Sequence, residues 1–471
     1  MEATRRRFLT RLALITAGAA AFRIWYILGP VTGWLTGDGR IPKLGLGDEY
    51  FYSMQARLVA DGRGFLNPFG YYAPVGTPQH RVFPTAIHPP LYTVFLSIPA
   101  KLGLDTPTQQ RVVTALLGCV TVFLIGILAR RLTGRDGVGL LAALIAAAYP
   151  PLWSNDSVLG LETLYAFLVI AALLAVYRLW NQPTLGAAAL LSLWLSFATL
   201  TRSEGVLLFL MMALPTIVLA KGVTRVFRWK MLGVMALVGL VVVGPWVVRN
   251  LTTFEKPTTL GTGFGWVLLD GSCDAVFYGD KLGYWDDSCQ LKDYPPRMEE
   301  TLVDAKARKE AIRYLEDHKS RIPVVMAARV GRVFDVYRPF QNVEFNQFFE
   351  RRGDVTSWLI LFAYWAMAPF AIGGLFVLRK RRVPIFPFLA ILVATTITIA
   401  MSFGITRYRA PVEAIIPVLA AVAIAALWRR VRGTPDDSDD VRHDDRLGTA
   451  PAATDASPAQ DPAEEPVETP A

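Results

Sequence analysis

Residues able to do chemistry are gathered at a few places in this sequence. Asp48 and Glu49 form an adjacent acid pair, preceded by Gly45, Leu46 and Gly47 and followed by Tyr50, Phe51 and Tyr52. Such a pair suits base catalysis: an Asp of ordinary pKa, about 3.9, is ionised at neutral pH and needs only to reach the proton it takes. Asp48 equally suits a helix N-cap, because Tyr50 to Ala60 has helical composition and an Asp ahead of a helix accepts its free N–H groups. The two roles are compatible, since one oxygen can cap while the other faces a substrate. His88 follows in the run Ile87-His88-Pro89-Pro90-Leu91-Tyr92, where it can bind a partner or anchor an interfacial helix.

Further along, Glu162 sits beside an apolar stretch, where an ionised group is costly unless paired or wet. Asp156, just before it, reads as a solvated loop acid. Arg202 and Glu204 interrupt another apolar stretch, as an ion pair or as an anion site. Arg407 and Arg409 precede the last apolar run. Neither zinc-type clustering nor a phosphate-gripping Gly-rich loop is visible, so use of a nucleotide-linked substrate is disfavoured and metal dependence stays open.

The elements that must position these residues are membrane helices. Of 471 residues, 53% are hydrophobic and only 18% charged, which argues against a soluble globular protein. Apolar runs near 8–30, 111–129, 137–152, 160–178, 185–201, 205–220, 231–248, 356–378, 384–403 and 410–428 predict about ten transmembrane helices in an all-α polytopic protein. Thr4 to Leu9 also resembles a twin-arginine signal, but Arg23 and Trp25 continue an uncleaved-looking helix. The net charge of +9 carries no nucleic-acid signal, because Lys and Arg fall in short clusters between apolar runs.

Those clusters set the orientation. Arg5 to Arg11, Arg130 to Arg135, Lys221 to Lys230, Arg379 to Arg382 and Arg429 to Arg432 all fall inside if the short run 91–104, with Pro89, Pro90 and Pro99, lies along the interface as a juxtamembrane helix. Both termini are then cytoplasmic in a plasma-membrane protein, and 31–110 and 249–355 are outer regions where chemistry belongs. Arg407 and Arg409 then violate the positive-inside tendency, which favours anion binding or a lipid headgroup contact. Within 249–355, Met298 to Lys319 reads as an amphipathic helix packed on the membrane domain, bracketed by Pro295, Pro296 and Pro323. Cys273 and Cys289 share that region and can close a disulfide worth roughly 3 kcal/mol in the chain-entropy model. The segment 433–471, with 11 Asp/Glu against two Arg, cannot bury a core and reads as a disordered cytoplasmic tail.

Asp48-Glu49 after the first span, His88-Pro89-Pro90-Leu91, Leu200-Thr201-Arg202 and Arg407-Tyr408-Arg409-Ala410-Pro411 before the last span together resemble the C-type (GT-C) glycosyltransferases. Within them, the chain looks like the branch that holds protein O-mannosyltransferases and the lipid A aminoarabinose transferase. The resemblance covers about 8–428. It divides the chain into a membrane catalytic module at 1–248, an extracytoplasmic region at 249–355 and C-terminal transmembrane helices at 356–432. It implies an inverting transferase that moves a sugar from a polyprenyl-phosphate carrier to an acceptor hydroxyl on a lipid, glycan or protein. Asp48 would take the acceptor's proton and Glu49 would orient or bind. His88 would meet donor phosphate or acceptor, Glu162 would be a second carboxylate, and Arg202, with Arg407 or Arg409, would face the donor phosphate. Some members use a divalent cation. A transporter or lipid flippase is the rival reading, although it expects charges along a midplane path rather than near one end.

Overall fold

A computed structural model describes residues 2–32, 47–291 and 298–433, so the acidic tail beyond Gly433 and the prolines at 295 and 296 lie outside the described residues. Every regular element among the described residues is a helix, and the one β contact is an isolated antiparallel bridge between Leu66 and Pro84. The chain is an all-helical, multi-pass membrane protein. Six helices are long and apolar enough to cross a membrane: Ala3–Val31, Pro107–Thr133, Glu162–Asn181, Arg225–Thr253, Asp354–Lys380 and Thr406–Val431. A seventh candidate, Asp136–Ala148 with Pro150–Asp156, bends by 55°. The bend falls at Tyr149, which the following proline forces to extended backbone with ψ of 110°.

The three other apolar runs form the shorter helices Leu185–Thr201, Ser203–Val218 and Phe386–Met401. At about 1.5 Å per residue, helices of this length fall short of a hydrocarbon core of about 30 Å. All ten expected runs are helical among the described residues, and six of them, or seven with the bent pair, are long and apolar enough by themselves to cross. The segment Ser203–Val218 is a succession of 3₁₀, α and π turns rather than one regular helix.

The Glu162 and Thr406 helices form the centre of the bundle, with 78% of their most apolar windows buried, whereas Arg225–Thr253 runs along its edge with 17%. On the edge helix Leu237, Leu240 and Val241 stay exposed, as side chains facing lipid do. Asp156 departs from the expected solvated loop acid. It is buried and pairs with Arg23 of the first helix at 2.6 Å, while Thr163 Oγ1 donates to its other oxygen at 2.8 Å. Tertiary approach of the first apolar run and the end of the third supplies the partner that the local sequence lacks.

Outside the bundle, the juxtamembrane helix appears as Leu91–Lys101 and packs on Asp48–Ala60. Thr93 Oγ1 donates to Gln55 Oε1 at 2.7 Å in their buried seam. The expected helix at 298–319 is observed as Glu300–Asp317. Its Ala307 and Ala311 pack on Leu269 of the short helix Phe264–Asp270, so its main support is this helix and not the membrane bundle.

Burying Arg23 without its partner is expensive, since breaking a buried pair from one side costs about 3–5 kcal/mol. Arg23→Leu therefore lowers the melting temperature of the purified protein strongly, and the double replacement Arg23→Leu/Asp156→Leu recovers most of the loss. Thermal unfolding in detergent checks this, and equal loss in the single and double variants contradicts the pairing.

Candidate active site

The site is assembled where the Asp48–Ala60 helix begins. Gly47 has φ of +121°, a backbone conformation that side-chain-bearing residues rarely adopt, and it takes the N-cap position itself. Asp48 is thus the first helical residue and caps nothing. Its carboxylate turns toward Arg407, whose guanidinium is 2.8 Å from Oδ2, and toward His88, whose Nε2 is 3.4 Å from Oδ1. Partial burial alone would raise the pKa of Asp48, but the adjacent Arg407 charge and the hydrogen bond from His88 outweigh it and hold the carboxyl well below the usual range. His88 is fixed edge-on to Phe51 at 4.8 Å and tilted over Tyr52 at 5.0 Å, with Pro90 at the N-cap of the Leu91 helix behind it.

Glu49 does different work. It accepts from Arg111 at 3.3 Å and from the backbone N–H of Leu159 at 3.2 Å, and Arg111 donates onward to the Ser157 carbonyl at 2.9 Å. These bonds fasten the start of the Asp48 helix to the turn that launches the Glu162 helix. Glu162, nearly buried, lies 3.6 Å from Arg202. Arg202 ends the Leu185–Thr201 helix, donates to Glu204, and stacks over Tyr408 at 4.7 Å and Tyr165 at 5.8 Å. The structure therefore brings together Asp48, His88, Glu162, Arg202 and Arg407, with Glu49 as a brace behind them.

Arg409 is not part of this group. It is 1% exposed and bonded to Asp335 at 2.8 Å, to Glu413, and to the Val333 carbonyl, with the Tyr364 ring 3.4 Å from its guanidinium. Tyr149 donates to the same Glu413 at 2.5 Å. These bonds hold the region before the Asp354 helix to the last membrane helix. Cys273 and Cys289 are joined in a disulfide and pack with Val276, Phe277 and Val325 in a separate small core.

Several site residues lie outside the expected set. Glu350 is 3.5 Å from Arg407 Nε, and Arg352 donates to Ser154 Oγ and Asn155 Oδ1 at 2.5 Å each. Their signal in the sequence is the charged run Glu350-Arg351-Arg352 just ahead of an apolar span, the same kind of signal that marks Glu162. Tyr52 is 1% exposed and its hydroxyl has no hydrogen-bond partner, although the charges of Asp48, Glu162, Arg202 and Arg407 all act on it. A buried, unpaired hydroxyl costs about 1–3 kcal/mol, so it is a point of the site that the folded chain leaves unsatisfied. Nothing in the local sequence distinguishes Tyr52 from Tyr50. Among the described residues, no group of three or more His, Cys, Asp or Glu side chains is arranged to hold a metal ion.

Residues 87–248 match the family model of dolichyl-phosphate-mannose-protein mannosyltransferases. No curated protein matches by sequence. Among solved structures, the archaeal oligosaccharyltransferase AglB from Archaeoglobus fulgidus, in complex with an inhibitory peptide and a dolichol-phosphate, superposes with a TM-score of 0.51 at 15% identity, covering 94% of this chain and 53% of that one. The apo oligosaccharyltransferase of the same organism gives 0.49 at 15% identity over 93% and 53%. ArnT from Cupriavidus metallidurans bound to undecaprenyl phosphate gives 0.40 at 13% identity over 89% and 78%. The chain thus spans about half the length of the archaeal enzyme, whose membrane fold it shares. The resemblance read from the motifs is borne out in the family match over 87–248 and in the fold.

The depressed pKa of Asp48 has a sign that can be tested. Its pairing with Arg407 contributes stability that is full above the unfolded carboxylate pKa, about 3.9, and fades as pH falls below that toward the lower folded value. Arg407→Gln should therefore lower the melting temperature more at pH 7 than at pH 3. Melting curves of both proteins at the two pH values check this, and an equal or larger difference at pH 3 contradicts the pairing.

Proposed function

We propose that this protein is an integral membrane glycosyltransferase that moves a sugar, with inversion, from a polyprenyl-phosphate carrier to an acceptor hydroxyl on the extracytoplasmic side. The observation that carries the reading is the Asp48 carboxylate, kept ionised by Arg407 and His88 beside Arg202 and the unpartnered Tyr52 hydroxyl. The family match over 87–248 and the dolichol-phosphate in the structurally similar oligosaccharyltransferase support a lipid-phosphate donor. The side of the membrane rests on the five basic clusters, which agree on placing this end of the bundle outside.

Asp48 would act as the general base. Its Oδ2 is committed to Arg407, whereas Oδ1 meets only the longer His88 contact, so Oδ1 is the oxygen open to an acceptor hydroxyl. A carboxylate of depressed pKa is a weak base but an always-ionised one. It takes the proton as the acceptor oxygen closes on the anomeric carbon and becomes more acidic. The bond from that carbon to the carrier's phosphate oxygen breaks with its electron pair, so the leaving phosphate gains charge. Arg202 is placed to stabilise that charge, with Arg407 assisting while it holds Asp48. A small cavity beside Glu204 and Tyr408 is lined by Leu208, Ile391, Ala394 and Pro411.

Asp48→Asn keeps size and loses the proton acceptor, so transfer falls by about 10²- to 10⁴-fold with the fold intact. Single-turnover transfer by the purified variant measures this, and near-normal rates reject the assignment. A second prediction concerns the donor. In liposomes, lipid-phosphate-linked sugars are used and nucleotide-linked sugars are not; Arg202→Lys keeps charge but loses the fork and reduces transfer in part, and Arg202→Ala reduces it further. Efficient transfer from a nucleotide sugar without carrier lipid defeats the donor reading, and an Arg202→Ala protein equal to wild type removes Arg202 from the phosphate.

A further inference from the structure

His88 reaches Asp48 from a loop, and the loop owes its shape to a residue more than two hundred positions away in sequence. Glu300 opens the Glu300–Asp317 helix and aims its carboxylate back at Thr85 and Ala86. Thr85 Oγ1 donates to Glu300 Oε2 at 2.6 Å, the Ala86 N–H donates to Oε1 at 2.8 Å, and Thr262 Oγ1 donates to the same Oε1. Burial raises the pKa of Glu300 despite these three bonds, and no cation lies in salt-bridge contact with it among the described residues. Such a carboxylate is held in place for the N–H and O–H groups it accepts from.

The remaining polar groups of the same two residues are also satisfied. The Thr85 N–H donates to the Phe65 carbonyl at 2.9 Å, the Thr85 carbonyl accepts from Arg249 at 3.0 Å, and the Ala86 carbonyl accepts from the Thr262 N–H at 2.9 Å. Ile87 N–H donates to Thr85 Oγ1 at 3.3 Å. The close approach of the two outer segments favours glycine, because a Cβ on Gly261 would stand 3.0 Å from the Ala86 carbonyl oxygen and one on Gly263 would stand 3.1 Å from that of Ile87. Pro89 and Pro90 stiffen the chain on the other side of His88. The histidine is therefore clamped between two fixed points, and the upstream one depends on Glu300.

We propose that Glu300 is a positioning residue for the Asp48 site, acting through Thr85 and Ala86 to hold His88 against the carboxylate. This role rests on the reading of Asp48 as the reacting carboxylate, while the geometric claim about His88 does not. Replacing Glu300 by Gln keeps the size but leaves one oxygen where there were two, and it sets an amide donor against the donors of Ala86 or Thr85. The clamp then loosens and His88 leaves Oδ1 for part of the time.

The test is the rate at which diethyl pyrocarbonate modifies each histidine, followed by peptide mass spectrometry, in wild type and Glu300→Gln. His80 and His318, whose rings bond to the Ala73 and Tyr314 carbonyls, serve as internal references. Modification of His88 should rise several-fold while the two references stay unchanged. An unchanged His88 overturns the proposal, and a parallel rise at all three histidines shows general loosening and overturns it too. In transfer assays Glu300→Gln should lower turnover roughly 10- to 100-fold, and in a His88→Ala background it should add little. A full additional loss in that background overturns the route through His88. Selective exposure of His88 with unchanged transfer overturns the positioning role, whereas absence of any transfer by the wild-type protein would leave the clamp standing and count instead against the glycosyl-transfer reading.

Discussion

The contact on which the rest of this site depends is the one between Arg407 and Asp48. The guanidinium meets Asp48 through Nη2 and Glu350 through Nε, so a single cation joins the segment after the first span, the region before the Asp354 helix and the last membrane helix. In a low-dielectric surround, a charge without a partner is expelled or neutralised. That constraint forces three segments distant in sequence to meet at one point, and it keeps the Asp48 carboxylate ionised once they do.

Two arginines one residue apart illustrate how strictly this works. The 3₁₀ turn Thr406–Arg409 sends Arg407 to Asp48 and Arg409 into the bundle, where Asp335, Glu413 and the Tyr364 ring consume it. Both are cations at the outer end of an apolar run, and in sequence they look alike. Their partners separate them: Arg409 is bonded to the carboxylates of Asp335 and Glu413 under the Tyr364 ring, whereas Arg407 reaches Asp48 and Glu350. The buried pairs at Arg23 and Arg409 hold the bundle together.

The first outer segment has the same division of labour. Glu49 and Glu300 are braces, one tying Asp48 to the turn before Glu162 and the other fixing the chain ahead of His88. Each carboxylate accepts backbone N–H bonds, which set position more firmly than a flexible ion pair can. Asp48 is thus supported from three directions by groups that do not themselves face the open side of the site.

Much of this was legible in the sequence. Uniform apolar runs can only be helices in a bilayer, because every backbone N–H and C=O must be satisfied internally, so the all-helical class and the position of each run followed directly. Asp48, His88, Glu162, Arg202 and Arg407 stood out because charge beside an apolar run demands a partner. What local sequence cannot hold is the partner's identity. Asp156 looked solvated until Arg23 was seen to pack on it, Asp48 looked like a cap until Gly47 took that position, and Arg409 looked like the twin of Arg407. Glu300, Glu350 and the unpaired Tyr52 hydroxyl were invisible for the same reason: pairing across two hundred residues is decided by how helices pack, and packing is a property of the whole bundle and not of any stretch of chain within it.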